Sequence, residues 1–332
     1  MKSVVKNQPE DLILDRTLRP SRFDEFIGQE KIKENLKIMI EAAKGRKEPL
    51  EHVLIYGPSG LGKTTLAHIV AQEAASSIKI TSGAALEKAG DIAAILTNLQ
   101  EGDIFFIDEV HRLNKLIEEI LYPAMENFKL DIVIGKGPSA KTIQINLPRF
   151  TLIAATTRMA LLSSPFRSRF GVHCRLDFYN PENIERIIAR SAKILDIKTE
   201  KEAVKILAGA SRFTPRIANK LLKRSRDLAQ IRHEKAITAR IAEETLGLLD
   251  IDRVGLETTD RKILETIINN FNGGPVGVRT IAASIAEEEE TIQEVFEPYL
   301  MQIGFLARTS KGRIATKTAF DHLKLKYQSK LV

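Results

Sequence analysis

The sequence predicts an α/β domain on a parallel sheet, then an all-helical domain, then a winged helix, and three observations carry that prediction. Gly57-Pro58-Ser59-Gly60-Leu61-Gly62-Lys63-Thr64-Thr65 stands between the apolar runs His52–Tyr56 and Leu66–Ala71. Strand, glycine-rich turn and helix in that order make a phosphate-binding loop. Four apolar residues, Ile104–Ile107, end in Asp108-Glu109, which reads as a central strand delivering two acids at its C-terminal edge. Past residue 257, three helical stretches precede a short basic hairpin, the element order of a winged helix.

The composition agrees. A chain of 332 residues with 43% hydrophobic content has room for two or three cored domains. Cys174 is the single cysteine, so no intrachain disulfide forms, as in a reducing cytosol. No apolar run is long enough to span a bilayer, and Met1–Lys6 lacks the apolar core of a signal peptide. A cytoplasmic protein without membrane contact is therefore expected. The six histidines show no paired metal spacing and read as surface or satisfied core residues. The net charge of +7 is concentrated in residues 181–254. Near the end the signs separate: Glu287–Glu290, Glu294 and Glu297 precede Arg308, Lys311, Arg313, Lys317, Lys324, Lys326 and Lys330. That separation points to polyanion contact on one face.

In chain order, residues 1–17 are polar, and Leu18–Gln29 leads into a helix from Lys31 to about Ala43, with Ile32, Leu36, Met39 and Ile40 at helical spacing. Ile78–Ile80 is a short strand and Asp91–Leu99 a helix. Leu113–Met125 is helical, with Leu116, Ile117, Ile120 and Leu121 on one face. Leu130–Ile134 and Thr142–Leu147 flank the turn Gly135–Lys141 and predict a β-hairpin, a protrusion or a decorated loop. Phe150–Ala155 is a buried strand ending in Thr156-Thr157-Arg158. Asn180-Pro181 opens a wholly helical stretch to Leu249, in which Thr214-Pro215-Arg216 fits a helix start. Thr258–Phe271, Arg279–Ala286 and Glu290–Ile303 are the three later helices, the last bent at Pro298. The hairpin Gly304–Thr316 follows. Because the third helix is acidic, the basic hairpin is the better contact for a nucleic-acid backbone.

The chemistry these residue types support is phosphoryl transfer. Glycines let backbone N–H groups turn around phosphate oxygens, and the helix N-terminus adds partial positive charge. Lys63 can reach the β and γ phosphates, and the Thr64 hydroxyl can take a Mg²⁺ position. Asp108, about 45 residues past Lys63, is placed to complete the Mg²⁺ shell, and Glu109 to polarise a water against the γ-phosphate. Thr156 or Thr157 could sense the γ-phosphate or orient water. Arg167 and Arg169 suit charge stabilisation, or are ordinary surface arginines.

Gly57–Thr65, Asp108–Leu113, Ala155–Arg158 and Thr214–Asn219 together resemble the AAA+ ATPases. Leu121–Glu126, Gly273–Gly277, Glu297–Leu300 and Gly304–Leu306 resemble, more narrowly, the AAA+ motors of Holliday-junction branch migration. The likeness is colinear from about residue 15 to the C-terminus. It implies a large ATPase domain over 1–180, a small helical lid over 181–254 and a winged-helix DNA-binding head over 255–332. It implies ATP and Mg²⁺ as cofactors. Gly60, Leu61, Gly62, Lys63, Thr64 and Thr65 would hold the phosphates, with Thr64 and Asp108 on the metal. Leu18, Arg19 and Tyr179 match positions around adenine and ribose. Glu109 matches the water activator, and Thr157 matches sensor 1, with Thr156 as the alternative. Arg169 matches the finger that reaches a neighbour's nucleotide, and Glu126-Asn127-Phe128 matches a segment facing that nucleotide. Arg216 matches sensor 2, and Arg308 and Arg313 match wing residues on DNA. The hairpin 130–147 matches the arm that docks on RuvA, the junction-binding partner.

The activity implied is ATP-driven branch migration by a homo-hexameric ring on double-stranded DNA at four-way junctions, in recombination and repair, with RuvA and the RuvC resolvase. Two departures from the pattern stand out. Ser59 replaces a usual proline but keeps its N–H for the turn, and Lys136 and Lys141 make the docking hairpin basic. A clamp-loader-like ATPase is the rival enzyme reading and leaves the winged helix and hairpin unexplained. An ATP-switched DNA-binding regulator is the rival outside that class, separable by steady-state ATPase.

Overall fold

The computed structural model describes residues 17–134 and 141–326. Residues 1–16, the hairpin tip 135–140 with Lys136, and 327–332 with Lys330 lie outside the described residues; of 132–134 and 141–142 only the backbone is described. The chain divides into two compact units, Met1–Tyr179 and Asn180–Val332.

The first unit is built on five parallel strands in the order β2-β3-β6-β1-β7. These are β1 (Val53–Tyr56), β2 (Ile78–Ser82), β3 (Ile104–Asp108), β6 (Thr151–Thr156) and β7 (Val172–Arg175). The central strands are continuous apolar runs because helices cover both faces of a parallel sheet. Phe105, Phe106, Ile107, Leu152 and Ile153 are fully buried or nearly so, each contributing about 1.5–3 kcal/mol. Helices α1 (Glu30–Arg46), α2 (Lys63–Glu73), α3 (Ala89–Thr97) and α4 (Lys115–Asn127) connect or flank the strands. Asn114 starts α4 by accepting a hydrogen bond from the Ile117 N–H at 2.9 Å. Ile117 and Leu121 seat α4 in the core beside Ile107 and Leu152. The antiparallel hairpin β4 (Lys129–Ile134) and β5 (Lys141–Asn146) leaves the end of α4. Buried Leu130 and Leu147 anchor its base.

Strand β7 was not legible. It is four residues long, and His173 and Arg175 are exposed while Cys174 points inward. Burial pushes the Cys174 thiol up to about 12, so it is an inert core residue near neutral pH.

The second unit begins with helices α5 (Pro181–Ile194), α6 (Lys201–Gly209), α7 (Pro215–Ile231) and α8 (Ala239–Leu248). Then come α9 (Thr258–Glu265), which widens into a π turn at Thr266–Asn270, and α10 (Val278–Ile285). The third helix of the winged helix runs from Glu289 to Gln302 with a π segment at Ile292–Phe296. The bend expected at Pro298 has this form: proline offers no N–H to the preceding turn, and the backbone widens just before it. The part beyond is α11 (Glu297–Gln302). β8 (Leu306–Thr309) and β9 (Gly312–Ala315) form the wing. Gly274, at φ 98°, lies against β9, where an added Cβ would come within 2.4 Å of the Arg313 carbonyl oxygen. Its neighbour Val276 exchanges both backbone hydrogen bonds with Arg313, at 3.0 and 2.8 Å.

A buried ion pair ties the four lid-like helices to the winged helix. The Arg212 guanidinium meets Asp260 twice, at 3.0 and 3.3 Å, and also donates to the Val295 carbonyl at 3.3 Å. It lies 4.5 Å from the centroid of the Tyr299 ring, whose hydroxyl donates to the Val254 carbonyl. Asp260 also accepts from the Glu257 N–H at 2.9 Å, capping α9. Burial raises its carboxyl to about 6 against the pull of Arg212. Near neutral pH the pair is therefore ionised. Among the described residues no helix is long and apolar enough to cross a membrane.

Candidate active site

Parallel strands deliver their ends to one edge, and here the ends of β1, β3 and β6 carry the expected residues. Tyr56 stands opposite Thr156 and Ile107 opposite Ala154 in register. The Gly57 N–H continues the ladder to the Thr156 carbonyl at 3.3 Å. Gly57 has φ 141°, and a Cβ there would lie 2.3 Å from the Leu176 carbonyl oxygen; only glycine fits. Gly62 then precedes the first turn of α2. Lys63 is 6% exposed and its ammonium donates to the carbonyls of Gly57 and Pro58, both at 2.9 Å. The lysine thus spans its own loop.

Thr64 Oγ1 donates to Asp108 Oδ2 at 2.8 Å, so the loop and the acidic strand end are joined. Two hard oxygen donors converge there, the donor set a Mg²⁺ ion takes alongside phosphate oxygens. Among the described residues no group of three His, Cys, Asp or Glu could hold a metal unaided.

Glu109 sits in the left-handed region at φ 47°, an uncommon conformation for this residue type that turns its side chain across the strand end. Its Oε2 accepts from Thr157 Oγ1 at 3.2 Å and lies 3.3 Å from His111 Nδ1. Thr156, fully buried, faces His111 Nδ1 at 2.9 Å through Oγ1, which also accepts the Arg158 N–H at 2.9 Å. The two threonines therefore separate: Thr157 meets the Glu109 carboxylate, and Thr156 meets the imidazole beside it. His111 was passed over in the sequence because a lone histidine carries no spacing signal; its place two residues after Glu109 was the available clue. Burial lowers its pKa, with Arg158, Arg112 and Lys63 adding to the effect and Glu109 opposing it. Its ring is neutral near pH 7. His52, by contrast, is the satisfied core residue expected: Nδ1 accepts from the Leu152 N–H at 2.8 Å and Nε2 reaches the Met125 carbonyl at 3.1 Å.

Around the loop, the buried Tyr179 donates to the Leu61 carbonyl at 3.2 Å, and burial raises its phenol pKa. Leu18 is buried and Arg19 exposed, with the Arg19 charge felt at His68 of α2. Thr65 is half-buried in the first turn of α2. Arg216 belongs to the second unit, exposed in the first turn of α7.

Arg169 lies elsewhere in the first unit. Two residues after it, Gly171 enters β7, whose Val172 N–H donates to the His52 carbonyl at 3.2 Å. Arg169 thus stands where β1 and β7 begin, while the phosphate loop stands where β1 ends. It lines an open cleft of about 440 Å³ with Glu51, His52, Phe128, Arg149 and Gly171. Its Nη1 donates to the Pro165 carbonyl at 2.6 Å and its Nη2 pairs with Glu126 at 3.1 Å. Its guanidinium lies 4.2 Å from the Tyr122 ring centroid. Of the segment Glu126-Asn127-Phe128, Glu126 reaches this arginine, Asn127 is exposed, and Phe128 packs edge-on against Phe150 at the hairpin base.

In the wing the two arginines differ. Arg308 is exposed and Arg313 is 7% exposed. Its Nε and Nη2 donate to the two carboxylate oxygens of Glu297 at 2.5 and 3.2 Å. Arg313 therefore fastens the wing to α11 instead of facing solvent. Glu297, read as part of an acidic helix face, is itself 3% exposed and neutralised by that pair. Arg308 and Lys311 are exposed cations of the wing. Accordingly, Arg308→Ala should weaken duplex binding about equally for any sequence and lower the salt slope by roughly one. Arg313→Ala should instead destabilise the fold by about 3–5 kcal/mol, since a buried carboxylate loses its partner. Salt titration of binding and urea unfolding separate the two.

Models of three parts of one protein family match in sequence: the Holliday junction DNA helicase RuvB P-loop domain over residues 18–176, the RuvB AAA lid domain over 179–252 and the RuvB C-terminal winged helix domain over 253–324. Among solved structures, the Thermotoga maritima RuvB Holliday junction branch migration motor is 51% identical at TM-score 0.86, over 94% of this chain and 100% of that one. A point mutant of the same Thermotoga protein is 50% identical at TM-score 0.86, over 94% and 99%. With loop, acidic strand end, lid and wing all in family order, the chain belongs to the RuvB family of Holliday-junction branch-migration motors.

Proposed function

We propose that this chain hydrolyses ATP at sites shared between subunits of a homo-hexameric ring and so drives double-stranded DNA through four-way junctions. The observation that carries the shared site is the position of Arg169. It stands at the opening edge of β1, a strand of four residues, so about 13 Å of sheet separates it from the edge bearing its own phosphate loop. A cation so placed serves a nucleotide bound by another subunit.

Within one site, Gly60, Leu61, Gly62, Lys63, Thr64 and Thr65 bind the phosphates, and Leu18, Arg19 and Tyr179 flank the base and ribose. Arg216 approaches as the lid responds, and Glu126-Asn127-Phe128 faces the neighbour's nucleotide. Thr64 and Asp108 would hold Mg²⁺, which would neutralise phosphate charge. Glu109 orients the attacking water and takes its proton on a carboxylate oxygen, held in direction by Thr157. Arg308 follows the DNA backbone without reading bases. The division into 1–180, 181–254 and 255–332 assigns hydrolysis, response and DNA grip to successive domains. The hairpin 130–147 docks RuvA, RuvC resolves the same junctions, and the work is cytoplasmic.

The test is a synthetic four-way junction with RuvA. Strand exchange should require ATP and stop with a non-hydrolysable analogue, and duplex DNA should stimulate steady-state ATPase. ATP-dependent junction binding without turnover would favour the binary switch.

A further inference from the structure

We infer that Tyr122 is a positioning residue for Arg169, its ring the platform that aims the guanidinium at the neighbour's nucleotide. The inference rests on the shared-site reading of Arg169. It starts from the spacing of Glu118, Tyr122 and Glu126, which at i, i+4 and i+8 share one face of α4. The tyrosine is itself fixed. Its hydroxyl lies 2.9 Å from Ser163 Oγ and donates to the buried Glu118 at 3.3 Å. Its ring also packs on Phe166, 6.2 Å between centroids.

On this platform the guanidinium lies 4.2 Å from the ring centroid, within the range of a cation–π contact. Five N–H donors leave a guanidinium. One goes to Pro165 and one to Glu126. Nε is buried without a partner among the described residues, so the free donors are on the two Nη atoms. Glu126 is half exposed at 51%, and such an ion pair is weak in water. An incoming polyphosphate can displace it. The ring needs no displacement, because a cation–π contact occupies no oxygen acceptor that a phosphate would replace. Tyr122 therefore sets direction in both states, while Glu126 holds the charge until a phosphate arrives.

Misplacing a reacting group by about 1 Å costs on the order of 10²-fold in rate. Tyr122→Leu should therefore lower kcat by about 10–100-fold, with KM for ATP unchanged because the chain's own phosphate loop is intact. Tyr122→Phe keeps the ring and should stay within about 3-fold of the parent. The decisive arm mixes Tyr122→Leu chains with Lys63→Ala chains before assembly. The Lys63→Ala subunit supplies a well-aimed Arg169 to the Tyr122→Leu subunit's nucleotide, so turnover should rise above the sum of the separate proteins. A parallel Arg169→Ala with Lys63→Ala mixture reports on the shared site itself. Normal kcat in Tyr122→Leu overturns the proposal, as does a loss in Tyr122→Phe equal to that in Tyr122→Leu. So does failure of the Tyr122→Leu mixture when the Arg169→Ala mixture recovers, the result of plain damage to α4. Failure of both mixtures overturns the shared site, and the platform with it.

Discussion

Arg169→Ala should bind ATP normally and lose about 10³–10⁵ in turnover, the range typical of an arginine that stabilises a transferring phosphoryl group. ATP binding is spared because, among the described residues, the side-chain partners of Arg169 are Pro165, Glu126 and Tyr122, none of them in the phosphate loop. Lys63→Ala should fail earlier, at binding, since the lysine that spans the loop is gone. In mixed rings some interfaces join an intact loop from one variant to an intact Arg169 from the other. Recovered ATPase across a range of ratios, with ring formation verified by mass, is the expected result. Well-mixed rings that stay inactive at every ratio would make Arg169 a cis-acting or structural residue.

Glu109→Gln should lower hydrolysis by two or more orders of magnitude and leave ATP affinity near that of the parent. The carboxylate is aimed rather than buried: its left-handed backbone, the Thr157 hydroxyl and the nearby imidazole all constrain it. Glutamine keeps the shape but cannot take the proton from water, and preorganised groups of this kind supply much of the rate. The measurement pairs steady-state ATPase with equilibrium nucleotide binding. Turnover near the parent level would remove Glu109 from the role, and lost binding would show that the substitution disturbs the Thr64–Asp108 contact next to it.

The sheet and the edge of the candidate site were legible because central parallel strands are written as unbroken apolar runs, and the polar candidate residues follow each run directly. Gly57, Asp108, Glu109, Thr156 and Thr157 all belong to such strand ends. Strand β7 was not legible because an edge strand of four residues alternates polar with apolar. The pairing of Arg313 was not legible for a different reason. A sequence displays a charge but not the carboxylate it meets, and Glu297 lies sixteen residues away across the wing. Tyr122 entered the sequence reading only within the family-like stretch Leu121–Glu126, without a role of its own until Arg169 was seen lying on it.

The contacts of the second unit form a load path. A pull on the wing at Arg308 reaches its register partner Arg313 across the hairpin. Arg313 passes it to Glu297 through two hydrogen bonds. Glu297 and Tyr299 share the short helix α11, and Tyr299 lies under Arg212, itself locked to Asp260. Arg212 is four residues before Arg216, in the segment that opens α7. Every joint on that route is covalent, a β-ladder pairing, or a desolvated ionic or cation–π contact, and none depends on a loose surface ion pair. In a machine that moves DNA in small steps, compliance between grip and drive would be taken up as slack. This half of the chain therefore joins the wing to the helix that carries Arg216 through contacts that leave little slack.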